Sequence, residues 1–211
     1  MGKRQRPRLL RGQIGPPQDV RLWTEPRIGS GENRRTGIGF ARLRGFDTGK
    51  VLGIIFHVTV RPMTEADLDQ VMDLEKAIFA SPWRRSFFLS DLDRSQGLSV
   101  VAEDEGVILG YAVAWGAEET HLANLAVSEV ERGKGVGGKL LDEVVAFARR
   151  SKAGSMYLEV RVSNTTARKF YAERGFVPTY LRKGYYENGE DAVIMERELD
   201  GESQPKSEVR S

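Results

Sequence analysis

The fold is decided by residues 124–145, which read NLAVSEVERGKGVGGKLLDEVV. A strand-like apolar run ends at Val127 and apolar residues return with helical spacing from Leu140, so a glycine-rich turn joins a strand to a helix. Glycines allow positive φ angles and let backbone N–H groups approach a ligand, while the following helix adds the positive end of its dipole. The turn predicts a cradle for a pyrophosphate, with an ordinary strand-to-helix loop as the alternative.

The residues on both sides of this turn alternate between short apolar runs and helical periods, a pattern typical of an α/β protein. Thr64 followed by Asp67 is a capping box that predicts a helix start, and Gly175 predicts the end of the last helix. Strands are predicted near residues 57–61, 98–102, 107–115, 120–127, 155–160, 176–182 and 192–198. Helices are predicted near 64–79, 87–92 and 165–173, and from near Gly137 to a stop near Gly154.

The composition excludes several classes of chemistry. Cysteine is absent and the only histidines are His57 and His121, so a thiolate zinc site or a histidine-dependent triad is not expected, and no metal is predicted. The longest apolar run, residues 51–56, is far below the roughly 20 residues that cross a bilayer, and no secretory signal is recognised. A cytoplasmic location without membrane contact is the simplest expectation.

Charge divides the chain near residue 57. The first 57 residues hold 12 lysines and arginines against 4 acidic residues, whereas the remaining 154 residues carry 20 basic and 26 acidic side chains. Residues 1–57 therefore predict a basic disordered extension, residues 58–200 one folded domain, and residues 201–211 a polar tail. The extension is open to three interpretations: a transit peptide, an RNA-binding arm, or a start codon assigned too early. Nucleic-acid binding is not expected outside it.

Several further motifs occur in a fixed order around the turn. They are Ser81-Pro82-Trp83, Tyr157-Leu158-Glu159-Val160-Arg161, Ser163-Asn164, FYAERGF at 170–176, and RKGYY at 182–186 followed by Glu190-Asp191-Ala192. With Arg132-x-x-Gly135-x-Gly137, this order resembles the GNAT N-acetyltransferases, closest to the RimI type that acetylates a ribosomal-protein alanine. The resemblance runs from about Val58 to Leu199. It implies a single GNAT domain, with a central mixed, mostly antiparallel sheet flanked by helices, and acetyl-CoA as co-substrate.

The resemblance also implies how the coenzyme is bound. Its pantetheine arm would lie along Leu125, Ala126 and Val127, whose backbone N–H groups would polarise the thioester carbonyl. Asn164 would hydrogen-bond the same arm, and Tyr171 would donate a proton to the departing thiolate as general acid. The pyrophosphate would be bound by the turn itself: Arg132, Gly133, Lys134, Gly135, Val136, Gly137 and Gly138.

Each of the two catalytic roles has a structural alternative. Glu159 would act as general base, directly or through a water, because a carboxylate in an apolar strand is costly unless it is paired or used. The alternative is a structural ion pair with Arg161 or another arginine. Tyr171 is otherwise a half-buried core residue, although its spacing of two helical turns from Asn164 would place both on one side of a helix. His121 is expected to be a strand residue without a chemical role.

The acceptor amine is less constrained than the donor. An α-amine with a pKa of about 7.7 to 8.0 is roughly a tenth neutral at pH 7, whereas a lysine amine near 10.4 is almost entirely protonated, so one glutamate base suits the α-amine. Tyr185 and Tyr186 would line the acceptor groove, or only pack. The resemblance implies the N-terminal alanine of the eighteenth small-subunit ribosomal protein. A lysine or small-molecule amine acetyltransferase and a non-catalytic acetyl-CoA or protein-binding module stay open.

Overall fold

A computed structural model describes residues 57–199 of the 211-residue chain. The predicted N-terminal extension, except for its last residue, and the predicted polar tail lie outside the described residues.

The described residues form a seven-stranded sheet in the order β1-β2-β3-β4-β5-β7-β6. Only β4 and β5 are parallel, and the other neighbouring strands are antiparallel, which confirms the predicted mixed, mostly antiparallel sheet. The strands are β1 (Thr59–Pro62), β2 (Gly97–Asp104), β3 (Val107–Trp115), β4 (Glu119–Val127), β5 (Ser155–Arg161), β6 (Val177–Arg182) and β7 (Ala192–Glu198). The helices are α1 (Leu68–Ile78), α2 (Arg85–Leu92), α3 (Val136–Arg150) and α4 (Thr165–Ala172).

Two hydrophobic cores hold the helices on the sheet. The larger core contains the apolar stripe of α3, including Leu140 and Val144, and residues of α4. The smaller core lies between the sheet and α1 and α2, where Leu68 and Phe88 are almost fully buried. The helical periods in the sequence therefore identified the buried faces correctly, because an amphipathic helix can bury only its apolar side.

The start of α1 differs slightly from the prediction. The capping box at Thr64 is present, with the Thr64 backbone N–H donating to Asp67 at 2.7 Å. The first residues it caps, Glu65–Asp67, form a 3₁₀ turn, and the α-helix begins only at Leu68. A 3₁₀ turn is common at a helix N-terminus, where the first N–H groups have no intrahelical partner.

The parallel strands β4 and β5 separate soon after they meet. Their pairing covers Glu119, Thr120 and His121 on β4 and ends at His121 opposite Tyr157. Beyond this point β4 continues to Val127 and β5 to Arg161 without pairing to each other. A register shift between β3 and β4, after Val113, accompanies the separation. A gap therefore opens in the middle of the sheet, in front of the glycine-rich turn.

Candidate active site

The glycine-rich turn has the backbone conformation that its sequence requires. Gly133 and Gly135 have φ angles of 77° and 88°, and Gly135 is the N-cap of α3. A Cβ atom built on either glycine would meet no protein atom within 4 Å. The first N–H groups of an α-helix have no partner within the helix, so the turn presents donors next to open space.

A cavity of about 200 Å³ lies against this turn. Burial lowers the pKa of Arg132, and the charge of Glu129 only partly opposes this effect. Arg132 Nε donates to the Val127 carbonyl at 3.3 Å. The cavity is lined by Val127, Glu131, Arg132, Gly133, Gly135, Gly137, Gly138, Phe170, Glu173 and Arg174. The structure thus brings five of the seven predicted turn residues to one cavity.

The other two turn residues point elsewhere. Lys134 is exposed and its Nζ atom lies 3.2 Å from the Glu131 carboxylate. Val136 is 1% exposed and packs in the larger core. Any contact of Val136 with a ligand would therefore involve its backbone.

Leu125, Ala126 and Val127 occupy the splayed half of β4. All three are almost fully buried, with Leu125 and Val127 in the larger core and Ala126 in the smaller one. Because the side chains are committed to packing and β3 pairs with one edge of β4, only the backbone edge facing the gap is available to a ligand.

Asn164 caps α4. Its side-chain oxygen accepts a hydrogen bond from the Ala167 backbone N–H at 3.0 Å, and the residue is 7% exposed. Asn164 therefore lies just before the helix rather than inside it. It caps the helix, and Tyr171 follows two turns later. The capping bond explains an asparagine here without any ligand.

Tyr171 is completely buried in α4, not half-buried as its packing alternative supposed. Its ring packs edge-on against Phe170 and Phe176, with centroids 5.1 and 5.5 Å away. Among residues 57–199, its hydroxyl has no hydrogen-bond partner. Burial raises the pKa of Tyr171 well above the usual value, despite the opposing charge of Arg174, so the phenol is protonated. A buried hydroxyl without a partner costs about 1–3 kcal/mol, which suggests a function for the group.

Glu159 is a buried carboxylate with several donors around it. Oε2 lies 2.6 Å from His121 Nε2, Oε1 lies 3.5 Å from Arg182 Nη1, and the Tyr185 hydroxyl also hydrogen-bonds to it. Burial alone would raise the pKa of Glu159, but the hydrogen bond and charge of His121, with the contributions of Arg182 and Tyr185, hold it below the usual value. Glu159 is therefore ionised at neutral pH.

The ion pairs of Glu159 and Arg161 have different partners: Glu159 lies 3.5 Å from Arg182, and Arg161 lies 2.9 Å from Glu190. Side chains two residues apart on β5 lie on the same face, and each finds a different partner on the loop between β6 and β7. Arg161 Nη1 lies 2.9 Å from both Asn188 and Glu190. The pairing of Glu159 with another arginine is borne out by Arg182.

His121 is the site residue that the sequence analysis missed. It lies on β4 as expected, but its ring is buried between Tyr157, stacked at 4.5 Å, and the edge of Trp115, with centroids 5.3 Å apart. Its contact with Glu159 spans 38 residues of sequence and depends on the register between β4 and β5. No local motif could have revealed it.

Tyr185 and Tyr186 have different environments. Tyr185 is half-buried and contacts Glu159, which together with burial raises its pKa. Tyr186 is 3% exposed, beneath the guanidinium of Arg161 at 3.8 Å. Tyr185 is thus beside the candidate base, whereas the burial of Tyr186 agrees with its packing alternative, and its role in acceptor binding stays a prediction.

A second buried carboxylate anchors β4 from the other side. Glu75 of α1 is fully buried and accepts hydrogen bonds from the Tyr111 hydroxyl, from Asn124 at 2.7 Å and from the Trp83 backbone N–H at 3.1 Å. Burial raises its pKa, and the three donors oppose that rise. The network ties α1 and the loop before α2 to the strand that borders the gap.

Residues 57–199 contain no group of three or more His, Asp or Glu side chains that could hold a metal ion. None of the helices in this range has the length and hydrophobicity of a membrane span.

Residues 68–176 match the model of the Acetyltransferase (GNAT) family, and the chain therefore belongs to this family of acyltransferases. It is 33% identical over 149 residues to N-alpha-acetyltransferase RimI of Mycobacterium tuberculosis, an alignment that covers 67% of this chain and 92% of that protein. It is 29% identical over 141 residues to the ribosomal protein bS18-alanine N-acetyltransferase of Haemophilus ducreyi, covering 64% and 97%. The crystal structure of the ribosomal-protein-S18-alanine N-acetyltransferase from Escherichia coli matches with a TM-score of 0.63 and 26% identity, covering 71% of this chain and 99% of that one.

Proposed function

We propose that this protein is an acetyl-CoA-dependent Nα-acetyltransferase that acts on a protein N-terminus, specifically the N-terminal alanine of the eighteenth small-subunit ribosomal protein. One observation carries the proposal. A buried, ionised carboxylate, Glu159, stands on the splayed part of β5 and reaches His121, the last paired residue of β4. Glu159 thus lies where the gap in the sheet begins. An amine bound beside it would be next to an acyl group that lies in the gap.

The residues around the gap fit acetyl-CoA. The cavity beside Gly133 and Gly135 combines open space with helix N–H groups and arginine side chains, a set suited to phosphates. The edge of Leu125–Val127 that faces away from β3 offers backbone groups to the pantetheine amides. When bound, acetyl-CoA supplies an activated acetyl thioester.

Glu159 takes the proton from the acceptor ammonium, directly or through a water. Because an ionised carboxylate only accepts hydrogen bonds, His121 donates its Nε2–H to Glu159 over 2.6 Å and so holds the carboxylate in place for the acceptor. The stacking of His121 on Tyr157 fixes the imidazole ring in the orientation that this contact needs. Arg182 and Tyr185 hold the other side of the carboxylate.

Tyr171 donates its hydroxyl proton to the sulfur that leaves. The side chain is locked between Phe170 and Phe176, and its hydroxyl makes no competing hydrogen bond within the part of the chain that the structure describes. A phenol is protonated at neutral pH even before burial raises its pKa further. These properties suit a general acid.

Three observations support a protein N-terminus as the acceptor. The M. tuberculosis relative is named for N-alpha-acetylation and the H. ducreyi relative for the alanine of bS18. An α-amine loses its proton far more readily than a lysine side chain, which suits a carboxylate whose pKa is low. Residues 58–211 carry 20 basic and 26 acidic side chains, which favours a basic acceptor.

The test of this function compares three acceptors by intact-mass analysis after incubation with acetyl-CoA. One peptide begins with the alanine sequence of the ribosomal protein, a second has a blocked N-terminus and one lysine, and a third is the alanine peptide with a blocked N-terminus and no lysine. We expect a gain of one acetyl group on the first peptide alone. Acetylation of the lysine peptide at the same rate would identify a lysine acetyltransferase, and no transfer to any amine would favour the binding-module alternative.

The glycine turn gives a separate prediction. Gly135→Val should weaken CoA binding by at least about tenfold in calorimetry, because it strains a positive-φ position and places a side chain where the ligand would lie. Gly106→Val is the matched control: Gly106 has a φ of 83° and open space around it, but lies in the β2–β3 hairpin. It should lose similar stability and keep CoA affinity. Equal CoA affinity in both variants would contradict the cradle.

A further inference from the structure

Arg174 lies at the cavity but is not part of the glycine-rich motif. It follows α4 and lines the cavity together with Phe170 and Glu173. Its guanidinium lies over the Phe170 ring at 3.7 Å, and Nη1 donates to the Phe170 carbonyl at 3.2 Å. Two contacts therefore hold the charged group in place before any ligand arrives, which lowers the entropy cost of binding.

The position of Arg174 accounts for the absence of a side chain at Gly138. It lies inside α3 and has no positive φ angle, so its backbone conformation does not require glycine. A Cβ atom at this position would lie 3.1 Å from Arg174 Nη2. The missing side chain lets the guanidinium approach the first turn of α3, where helix N–H groups point outward.

The charges around the cavity favour an anion beside Arg174. Arg132 and Arg174 both line it, as do Glu131 and Glu173. The two carboxylates have lysine neighbours: Lys134 lies 3.2 Å from Glu131, and Lys169 lies 3.9 Å from Glu173. The cavity therefore combines two guanidinium groups with a helix N-terminus, the donor set that binds phosphate oxygens.

We propose that Arg174 binds a phosphate group of CoA and that Gly138 is small so that Arg174 can reach it. The inference rests on the proposed acetyl-CoA binding and adds a residue from the other side of the cavity to the glycine turn. CoA offers phosphate in two places, the pyrophosphate and the 3′-phosphate of the ribose. Dephospho-CoA lacks the second, so it distinguishes the two sources.

The experiment measures Kd by calorimetry for CoA and dephospho-CoA with three proteins: wild type, Arg174→Ala and Arg168→Ala. Arg168 is the matched control, since it lies on α4, carries the same guanidinium group and does not line the cavity. Arg174→Ala should raise the Kd of CoA about tenfold, as expected for a lost charge-assisted hydrogen bond, with Arg168→Ala near wild type. An effect that persists with dephospho-CoA identifies the pyrophosphate, and one that vanishes identifies the 3′-phosphate.

Gly138→Ala provides a second variant that should fold well, because alanine favours a helix by about 1 kcal/mol over glycine. We expect it to raise the Kd of CoA in the wild-type background and to have no effect in Arg174→Ala, since the two residues then share one interaction. Equal CoA affinity of Arg174→Ala and wild type, or an equal loss in Arg168→Ala, would overturn the inference. A wild-type protein that binds no CoA would instead reject the proposed function.

Discussion

Glu159→Gln is expected to lower kcat by about 10²- to 10⁴-fold, the usual range for a lost general base. Glutamine has the same shape and can still hydrogen-bond to His121, Arg182 and Tyr185, but it cannot take a proton. The Kd of acetyl-CoA should change little, because the cavity at the glycine turn does not contain Glu159. The measurement is steady-state kinetics on the alanine peptide, with calorimetry for the coenzyme.

Glu196→Gln is the control for this variant. Glu196 lies on the neighbouring strand β7 opposite Tyr157. The substitution therefore removes a nearby carboxylate and leaves the contact between Glu159 and His121 unchanged. Its kcat should be close to that of the wild type. Wild-type turnover of Glu159→Gln would exclude the proton-transfer role and leave the carboxylate as a structural partner of His121 and Arg182.

The pH profile adds a second check on the same residue. Since the folded pKa of Glu159 is lowered, the carboxylate stays ionised as the pH falls from 8 to about 5, and its protonation cannot limit the rate there. The rate should fall across this range because the acceptor amine, with a pKa of about 7.7 to 8.0, becomes protonated. A wild-type profile set by a carboxyl group with a pKa above its ordinary value would contradict this assignment.

Tyr171→Phe is expected to lower kcat by about 10²- to 10⁴-fold while the protein keeps or gains stability. The hydroxyl has no hydrogen-bond partner among the described residues, so its removal takes away an unsatisfied buried polar group. A residue held only for packing would show the same thermal stability but unchanged turnover. Kinetics on the alanine peptide together with a thermal melt separates the two cases.

Tyr111→Phe is the matched control for Tyr171→Phe. Tyr111 is also fully buried, but its hydroxyl donates to Glu75 and lies 3.0 Å from Asn124. Its removal leaves a buried carboxylate short of a donor, which should cost about 1–3 kcal/mol of unfolding free energy. Opposite effects on stability from the same chemical change would show that the Tyr171 hydroxyl is not needed for folding. Normal turnover in Tyr171→Phe would reject the general-acid role.

Much of the fold follows from local patterns. The apolar stripe from Leu140, the capping box at Thr64 and the strand runs all predicted elements that the structure contains within a few residues. These signals work because helices and strands bury side chains at fixed spacings. The largest local difference was at Thr64, where the first capped turn is 3₁₀.

The contacts within the site were less accessible to sequence reasoning. Glu159 was predicted as the base, with an ion pair to Arg161 or another arginine as the alternative. In the structure Arg182 lies beside Glu159, and Arg161 contacts Glu190. The actual partner, His121, lies on another strand and meets Glu159 only because β4 and β5 pair as far as Tyr157. The position of a histidine within a strand does not predict a contact with a residue 38 positions away.

Local sequence was enough to identify the class of protein and the position of the glycine turn, since positive-φ glycines before a helix dictate their own local geometry. The side chains that face that turn and the groups that surround Glu159 depend instead on the packing of segments far apart in the chain. Gly138 illustrates the difference: its sequence neighbours suggest a fourth cradle glycine, whereas the fold places Arg174 Nη2 3.1 Å from the position of a Cβ atom there. Such pairs depend on how separate elements pack, and packing geometry is set by the whole core rather than by any one segment.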